Sequence, residues 1–206
     1  MDILKRTAAV IVILSWSGLA LAQDFDKQYK AFEKSYQLET SGDYATAIKE
    51  LQAVYHAEDY ETNLRLGWLM YASGRFTEAL PYYQKCIEIR PLSIEARFGF
   101  VNPAAALGNW SQVEARYDEI LKADPMNTLA NYRMGMILYG REDYSGALKY
   151  FTRVLNLYPF DYDTTIIAAW TQFKLGKLRE AKIMFQKTLL IKPNDSSALQ
   201  GLALIK

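Results

Sequence analysis

Cysteine and histidine are almost missing from this sequence: Cys86 and His56 are the single examples of each. One cysteine excludes an internal disulfide framework and any Cys-clustered metal site. One histidine excludes His-pair zinc motifs and leaves little room for His-based catalysis. Six prolines and eleven glycines in 206 residues are too few for a collagen-like or linker composition. An excess of charge of one sign is also lacking. The 24 basic and 23 acidic residues leave a net charge of +1, which gives no bulk electrostatic reason to bind nucleic acid. What is abundant is apolar and aromatic surface, 50% and 14% of the residues, with fifteen tyrosines. That is too apolar for a disordered chain, and the length suits one large domain or two small ones.

Charge is absent from one stretch in particular. After Lys5 and Arg6, the run Thr7 to Leu21 is apolar apart from Ser15, Ser17 and Gly18. Ala20-Leu21-Ala22 places small residues where a signal peptidase reads them. Residues 1–22 are therefore expected to be a secretory signal peptide, cleaved before Gln23. The competing reading is a membrane anchor, which needs about 20 apolar residues; this run is shorter and ends in a cleavage pattern. No cysteine follows it, so lipid attachment is excluded. Loss of Asp2, Lys5 and Arg6 leaves a neutral chain, 23–206. It is expected in the periplasm or secreted, with no membrane insertion after cleavage. A large apolar core needs no disulfide there.

The few prolines are regularly placed. Pro91, Pro125, Pro159 and Pro193 are each 34 residues apart. Ahead of Pro91 stand Gly74, Phe76, Ala79, Tyr83 and Cys86. In the same places the next units carry Gly108, Trp110, Val113, Tyr117 and Ile120, then Glu142, Tyr144, Ala147, Phe151 and Val154, then Gly176, Leu178, Ala181, Phe185 and Thr188. An earlier copy, Gly42, Tyr44, Ala47, Leu51 and Val54, lacks the proline and runs short, with Asp59 near that place. Each unit holds an apolar-periodic run of about 13 residues ending near the glycine. A second run follows, apolar at i, i+3, i+7 and i+10, which is one helical face. Its small residue lets two helices approach, and the aromatic four places later fills the groove between them. Proline then ends the helix. In the first runs Ser35, Gly67, Gly135 and Ala169 share one place and are small, with Val101 the exception.

This register, and segments such as GRFTEALPYYQKCIEIRP and GKLREAKIMFQKTLLIKP, resemble the tetratricopeptide repeat family over residues 28–195. The resemblance implies an all-α fold, a right-handed superhelical solenoid of helix–turn–helix units. The units are read as about 28–59, 60–93, 94–127, 128–161 and 162–195, within one domain 23–206. Asn194-Asp195-Ser196 can cap a short last helix over 196–206. Leu199, Leu202, Ala203 and Ile205 are expected to cover the fifth unit. The third unit departs from the pattern: in ARFGFVNPAAALG, Pro103 sits inside the first helix and either kinks it or breaks it in two.

The resemblance also implies that first helices line a concave side. Residues ten, six and three places before the turn glycine share one helical face. The six-before places hold Tyr36, Trp68, Asn102, Met136 and Trp170; the three-before places hold Glu39, Tyr71, Ala105, Tyr139 and Phe173. The ten-before set, Phe32, Leu64, Phe98, Tyr132 and Ile166, reads as packing. Core is already supplied by Leu66, Gly67 and Met70 in the second unit and by Met134, Gly135 and Leu138 in the fourth. Trp68, Tyr71, Met136, Tyr139, Trp170 and Phe173 are then surplus apolar area, which marks an interaction surface. The candidate partner-binding groove is Tyr36, Trp68, Tyr71, Asn102, Tyr132, Met136, Tyr139, Trp170 and Phe173. Arg65 and Arg133 lie off that row and are read as rim groups.

The face lacks the Lys, Asn and Arg set with which some members grip a terminal carboxylate; Asn102 alone matches in the six-before row. Cys86 stands where other units have Val54, Ile120, Val154 and Thr188, which reads as a buried structural thiol. His56 falls in the polar connection HAEDYE. There Glu58 and Asp59 lack the further ligands a cation site needs. No phosphate loop, dinucleotide fingerprint or nucleophile elbow is present. The chain reads as a non-enzyme with no cofactor, no metal and no catalytic residue. Its expected role is an exported interaction scaffold that takes an apolar or aromatic segment of an envelope protein. A glycan-associated module is the alternative, for which Glu39, Asn102 and Lys174 would be the polar groups.

Overall fold

The structure is a computed structural model that describes residues 25–205. The expected signal peptide and its cleavage point lie outside the described residues. Among the described residues the chain forms α-helices and no strand, and no helix is long and apolar enough to cross a membrane. The chain divides into two compact units, one ending at Trp110 and one starting at Ser111. The first holds α1 (25–40), α2 (Tyr44–Gln52), α3 (Tyr60–Ala72), α4 (Phe76–Ile89) and α5 (Ile94–Ala106). The second holds nearly all of α6 (Trp110–Ala123), then α7 (Thr128–Gly140), α8 (Tyr144–Leu157), α9 (Tyr162–Lys174), α10 (Leu178–Ile191) and α11 (Ser196–Leu204).

The helix boundaries follow from local chemistry. Asp43, Asp59, Ser93, Asn127, Asp143, Asp161 and Asp195 each cap a helix, their side-chain oxygens accepting an orphan amide of the first turn. First helices end in a left-handed residue whose successor's amide bonds back five places, as Arg75 does to the Met70 carbonyl. Gly42, Gly74, Gly108 and Gly176 take that conformation freely, at φ of 71 to 80°. After α7 the same place is held by Glu142 at φ 63°. Glu142→Gly is therefore expected to raise stability by roughly 0.5–1 kcal/mol, the left-handed penalty less glycine's extra unfolded-state entropy. A higher urea midpoint with an unchanged slope is the expected reading, and an equal or lower midpoint would contradict it.

Second helices stop because the residue before a proline is pushed out of the helical region. Arg90, Tyr158 and Lys192, each preceding a proline, have φ of −127, −124 and −135°. Without that proline, α2 has only nine residues, against fourteen in α4. The connection after it is held from inside: buried Asn63 donates to the carbonyls of Ala57 and Asp59 and accepts from the Tyr55 hydroxyl. Asn131 repeats the device on Pro125 and Asn127. Pro103 does not divide its helix: α5 runs from Ile94 through Pro103 to Ala106.

The core lies where the small and aromatic places meet. Ala47, Ala79, Ala147 and Ala181 are fully buried, as are Leu51, Phe151 and Phe185; Tyr83 is nearly so. An added Cβ on Gly135 would stand 2.5 Å from the Phe151 ring, so glycine is what permits that contact. Gly99 and Gly201 carry the same constraint against Tyr83 and Phe185. These two glycines are 102 residues apart and so occupy the same place three repeats apart. In the second unit Ala147, Phe151 and Ala168 form one cluster, and Ala169, Ala181, Phe185 and Ala198 another. The face of α11 turned to that second cluster differs from the sequence expectation. Ala198 and Gly201 are buried and Leu202 and Ile205 pack beside them, whereas Leu199 and Ala203 are exposed. Residues 198, 201, 202 and 205 share one helical face, and 199 and 203 turn away from it.

Within each unit, consecutive repeats are tied by their caps. The Tyr162 hydroxyl donates to Asp195 Oδ2 at 2.6 Å, and the Tyr60 hydroxyl meets Ser93 Oγ at 2.8 Å. Asp195 is buried, accepts the Ala198 amide and lies 3.3 Å from Lys192 Nζ. The Tyr162 hydroxyl, then the Ala198 amide, hold its carboxyl below the usual carboxylate value, with Lys192 adding to the shift. A depressed folded value means stability that is complete above about pH 3.9 and lost as pH falls through the folded value. Asp195→Asn is expected to be less stable than wild type at pH 7, with a gap that closes below pH 3.9. Melts at pH 7, 4 and 2.5 measure it. A gap of constant size would show that the carboxylate charge contributes nothing.

Candidate functional site

In the first unit, the first-helix face forms a cleft of about 480 Å³, lined among others by Phe32, Tyr36, Leu64, Arg65, Trp68 and Asn102. Helical spacing puts Trp68 here: Leu66, Leu69 and Met70 are buried on the opposite flank of α3, and Trp68 is 42% exposed. It is not loose. Its Nε1 donates to Glu39 Oε1 of α1 at 2.5 Å, and its ring lies 5.9 Å from Tyr71, itself 5.7 Å from Phe76. Tyr36 and Asn102 are exposed beside it, and Tyr71 is half-buried.

Arg65 departs from the rim position expected of it. It is only 8% exposed. Its Nη1 pairs with Glu39 Oε2 at 2.6 Å, its Nε donates to Ser35 Oγ at 3.2 Å, and its guanidinium stacks 3.8 Å from the Tyr36 centroid. Nη2 is buried with no acceptor. The physical reason is long-range. Ser35 and Tyr36 lie one turn before Glu39 on α1, and the three together meet Nε, one face and Nη1 of the planar guanidinium. Glu39 thus fixes two residues of the face at once, Trp68 through one oxygen and Arg65 through the other. The repeat register marks Glu39 as a three-before position, but its partners lie about thirty residues away.

In the second unit the candidate residues fall into two groups. Met136 is exposed, and Tyr132 and Tyr139 are half-buried, Tyr139 in edge contact with Tyr144 at 5.3 Å. Burial raises the hydroxyl pKa of both tyrosines. Trp170 and Phe173 differ from the expected surplus. They pack against the Phe185 cluster, with Trp170 5.0 Å from Phe185 and its Nε1 donating to Ser197 Oγ of α11. The last helix covers Trp170, where the corresponding side of Trp68 stays open. A second cleft of about 440 Å³ is lined by Leu129, Tyr132, exposed Arg133, Tyr158, Asp161 and Asp163.

Cys86 is buried, and its thiol is pushed up to about 12, by burial first and then by nearby Glu61, Glu95 and Asp59. A thiol of that kind carries no thiolate at neutral pH. Among the described residues no group of three or more His, Cys, Asp or Glu side chains could hold a metal.

Comparison with known proteins adds the family. Models described as tetratricopeptide repeat match residues 70–134 and 138–205, and another of the same description matches 32–94. Among curated proteins, the chain is 24% identical over 165 residues to anaphase-promoting complex subunit 7 of Arabidopsis thaliana, covering 77% of this chain and 29% of that protein. It is 24% identical to the TPR repeat-containing protein YpiA of Bacillus subtilis, covering 78% and 39%. The chain therefore spans well under half of these relatives. Among solved structures, a tetratricopeptide repeat protein from Parabacteroides merdae superposes with a TM-score of 0.74 at 20% identity, covering 87% of this chain and 72% of the other. MamA from Desulfovibrio magneticus gives 0.69 at 16%, covering 82% and 98%. YrrB, described as a TPR protein with an unusual peptide-binding site, gives 0.64 at 21%, covering 79% and 81%.

Proposed function

Since the chain belongs to the tetratricopeptide repeat family, we propose that it is a protein-interaction scaffold whose first-helix face takes an apolar or aromatic segment of another protein. The observation that carries this reading is Trp68: a large ring, exposed in a cleft, held in one orientation by Glu39. An anchor ordered before binding loses little side-chain freedom when a partner arrives, and tryptophan leads the residue types that dominate binding energy. Tyr36, Tyr71 and Asn102 extend the same face in the first unit, and Met136, Tyr132 and Tyr139 extend the face of the second. The peptide-binding description of YrrB agrees with this use of the fold.

The site of action follows the signal-like start: export to the periplasm or beyond, with a partner in the cell envelope. A glycan ligand has less behind it. Sugar recognition needs polar groups free between the rings, and Glu39 is already committed to Trp68 and Arg65. The test is a capture from envelope extract with wild type and Trp68→Ala, followed by overlapping peptides of the captured protein. The reading expects a protein that wild type retains and the variant loses, with one apolar segment reproducing the binding. Capture insensitive to Trp68 would move the contact elsewhere. Mass analysis of the exported N-terminus, expected at Gln23, tests the location.

A further inference from the structure

We infer that the segment bound in the first-unit cleft carries a lysine or arginine beside its apolar residues; this rests on the groove reading above. The argument is charge complementarity. Two exposed carboxylates, Glu61 and Glu95, line the same cleft as Tyr36 and Trp68. The cation in the cleft cannot balance them, because Arg65 is neutralised by Glu39 at 2.6 Å and covered on one face by Tyr36. Glu61 has Arg90 at 2.8 Å, an exposed pair of little strength. Among the described residues Glu95 has only the Tyr60 hydroxyl, at 3.4 Å. A carboxylate so placed and an aromatic face are the two groups that receive an ammonium or guanidinium.

An acid early in a helix is favoured by the helix dipole, which accounts for Glu61 and Glu95 as the second residues of α3 and α5. It does not account for the aromatic wall they share. A related combination occurs in the second unit, where Asp161, the cap of α9, and Asp163 line a cleft with Tyr132 and Tyr158, although exposed Arg133 lines it too. Asp163 is again the second residue of its helix, 68 positions after Glu95. An acidic ligand directed at Arg65 is the opposite assignment: its Nη2 is buried without an acceptor, but its charge is already met by Glu39, so a neutral acceptor such as a peptide carbonyl is enough to satisfy it.

The test is selection of a random twelve-residue peptide library on the full chain, with Glu61→Gln/Glu95→Gln and Trp68→Ala in parallel. Both glutamates are exposed, so the double variant should still fold, with a melt only slightly lowered by the lost helix-dipole contribution, which circular dichroism checks. The expected result is a wild-type pool at least threefold enriched in Lys or Arg next to aliphatic or aromatic residues. That enrichment should fall to background with the double variant. Apolar sequences lost with Trp68→Ala but showing no basic enrichment would overturn the charge assignment and leave the groove reading standing. Enrichment in Asp or Glu would likewise overturn it in favour of Arg65. A pool that selects nothing would bring down both readings.

Discussion

Phe151→Ala is expected to cost about 3–5 kcal/mol of unfolding free energy, the range for emptying a buried aromatic site. The ring is fully buried between α7, α8 and α9, against Ala147 and Ala168, with Tyr132 6.1 Å away. Its neighbours are poorly placed to collapse into the space. Gly135 and Ala147 have little side chain to move, and both belong to helices fixed by caps at Asn127 and Asp143. Gly135→Ala should also destabilise, because the new methyl would need the ring to retreat from 2.5 Å. Urea unfolding followed by far-ultraviolet circular dichroism measures both. A Phe151→Ala midpoint within error of wild type would mean that the aromatic place of the repeat is not where the second unit stores its stability.

The two tryptophans at equivalent register should behave oppositely. Trp68→Ala is expected to change stability by no more than about 1 kcal/mol, since the ring is exposed and Glu39 keeps Arg65 as a partner. Binding of the partner segment should weaken by about 2 kcal/mol or more, roughly thirtyfold in Kd. Trp170→Ala should instead lower stability by about 3 kcal/mol, because that ring packs on Phe185 and ties α11 through Ser197. Thermal melts separate the two before any partner is in hand. A strongly destabilised Trp68→Ala would end the groove reading. A stable Trp68→Ala that still binds normally would place the partner on another surface.

Much of this was legible in the residues. The 34-residue spacing from Pro91 to Pro193, the small places at Ala79 and Ala147 and the aromatic places at Tyr83 and Phe185 are local patterns. A helix's buried face is set by its own 3.6-residue period. The caps are equally local, as Asp195 illustrates. Pro103 is an intermediate case: its conflict with the helix could be read, but the continuous helix from Ile94 to Ala106 could not. One missing hydrogen bond can be outweighed by the burial of the residues around it, Val101 and Ala104 among them.

Apart from the run of α5 through Pro103 and the buried face of α11, the sequence by itself determined the helices, their ends and which side of each faces the core, because those depend on neighbours within one or two turns. Only the tertiary structure decided which aromatic residues stay open. Trp68 and Trp170 occupy the same register and cannot be told apart by period. Trp170 turns towards Phe185 and the Ser197 hydroxyl of the helix that follows, whereas α5 carries Glu95 instead of a serine in the equivalent place and Trp68 turns to Glu39 of α1. Arg65 was assigned to the rim for the same reason. A long polar side chain is expected in water unless paired, and its pairing comes from Ser35, Tyr36 and Glu39, about thirty residues earlier in the chain. Burial of a charge is a property of the partner as much as of the residue. A pattern that repeats every 34 residues cannot carry it, because the partners are where the repeats differ.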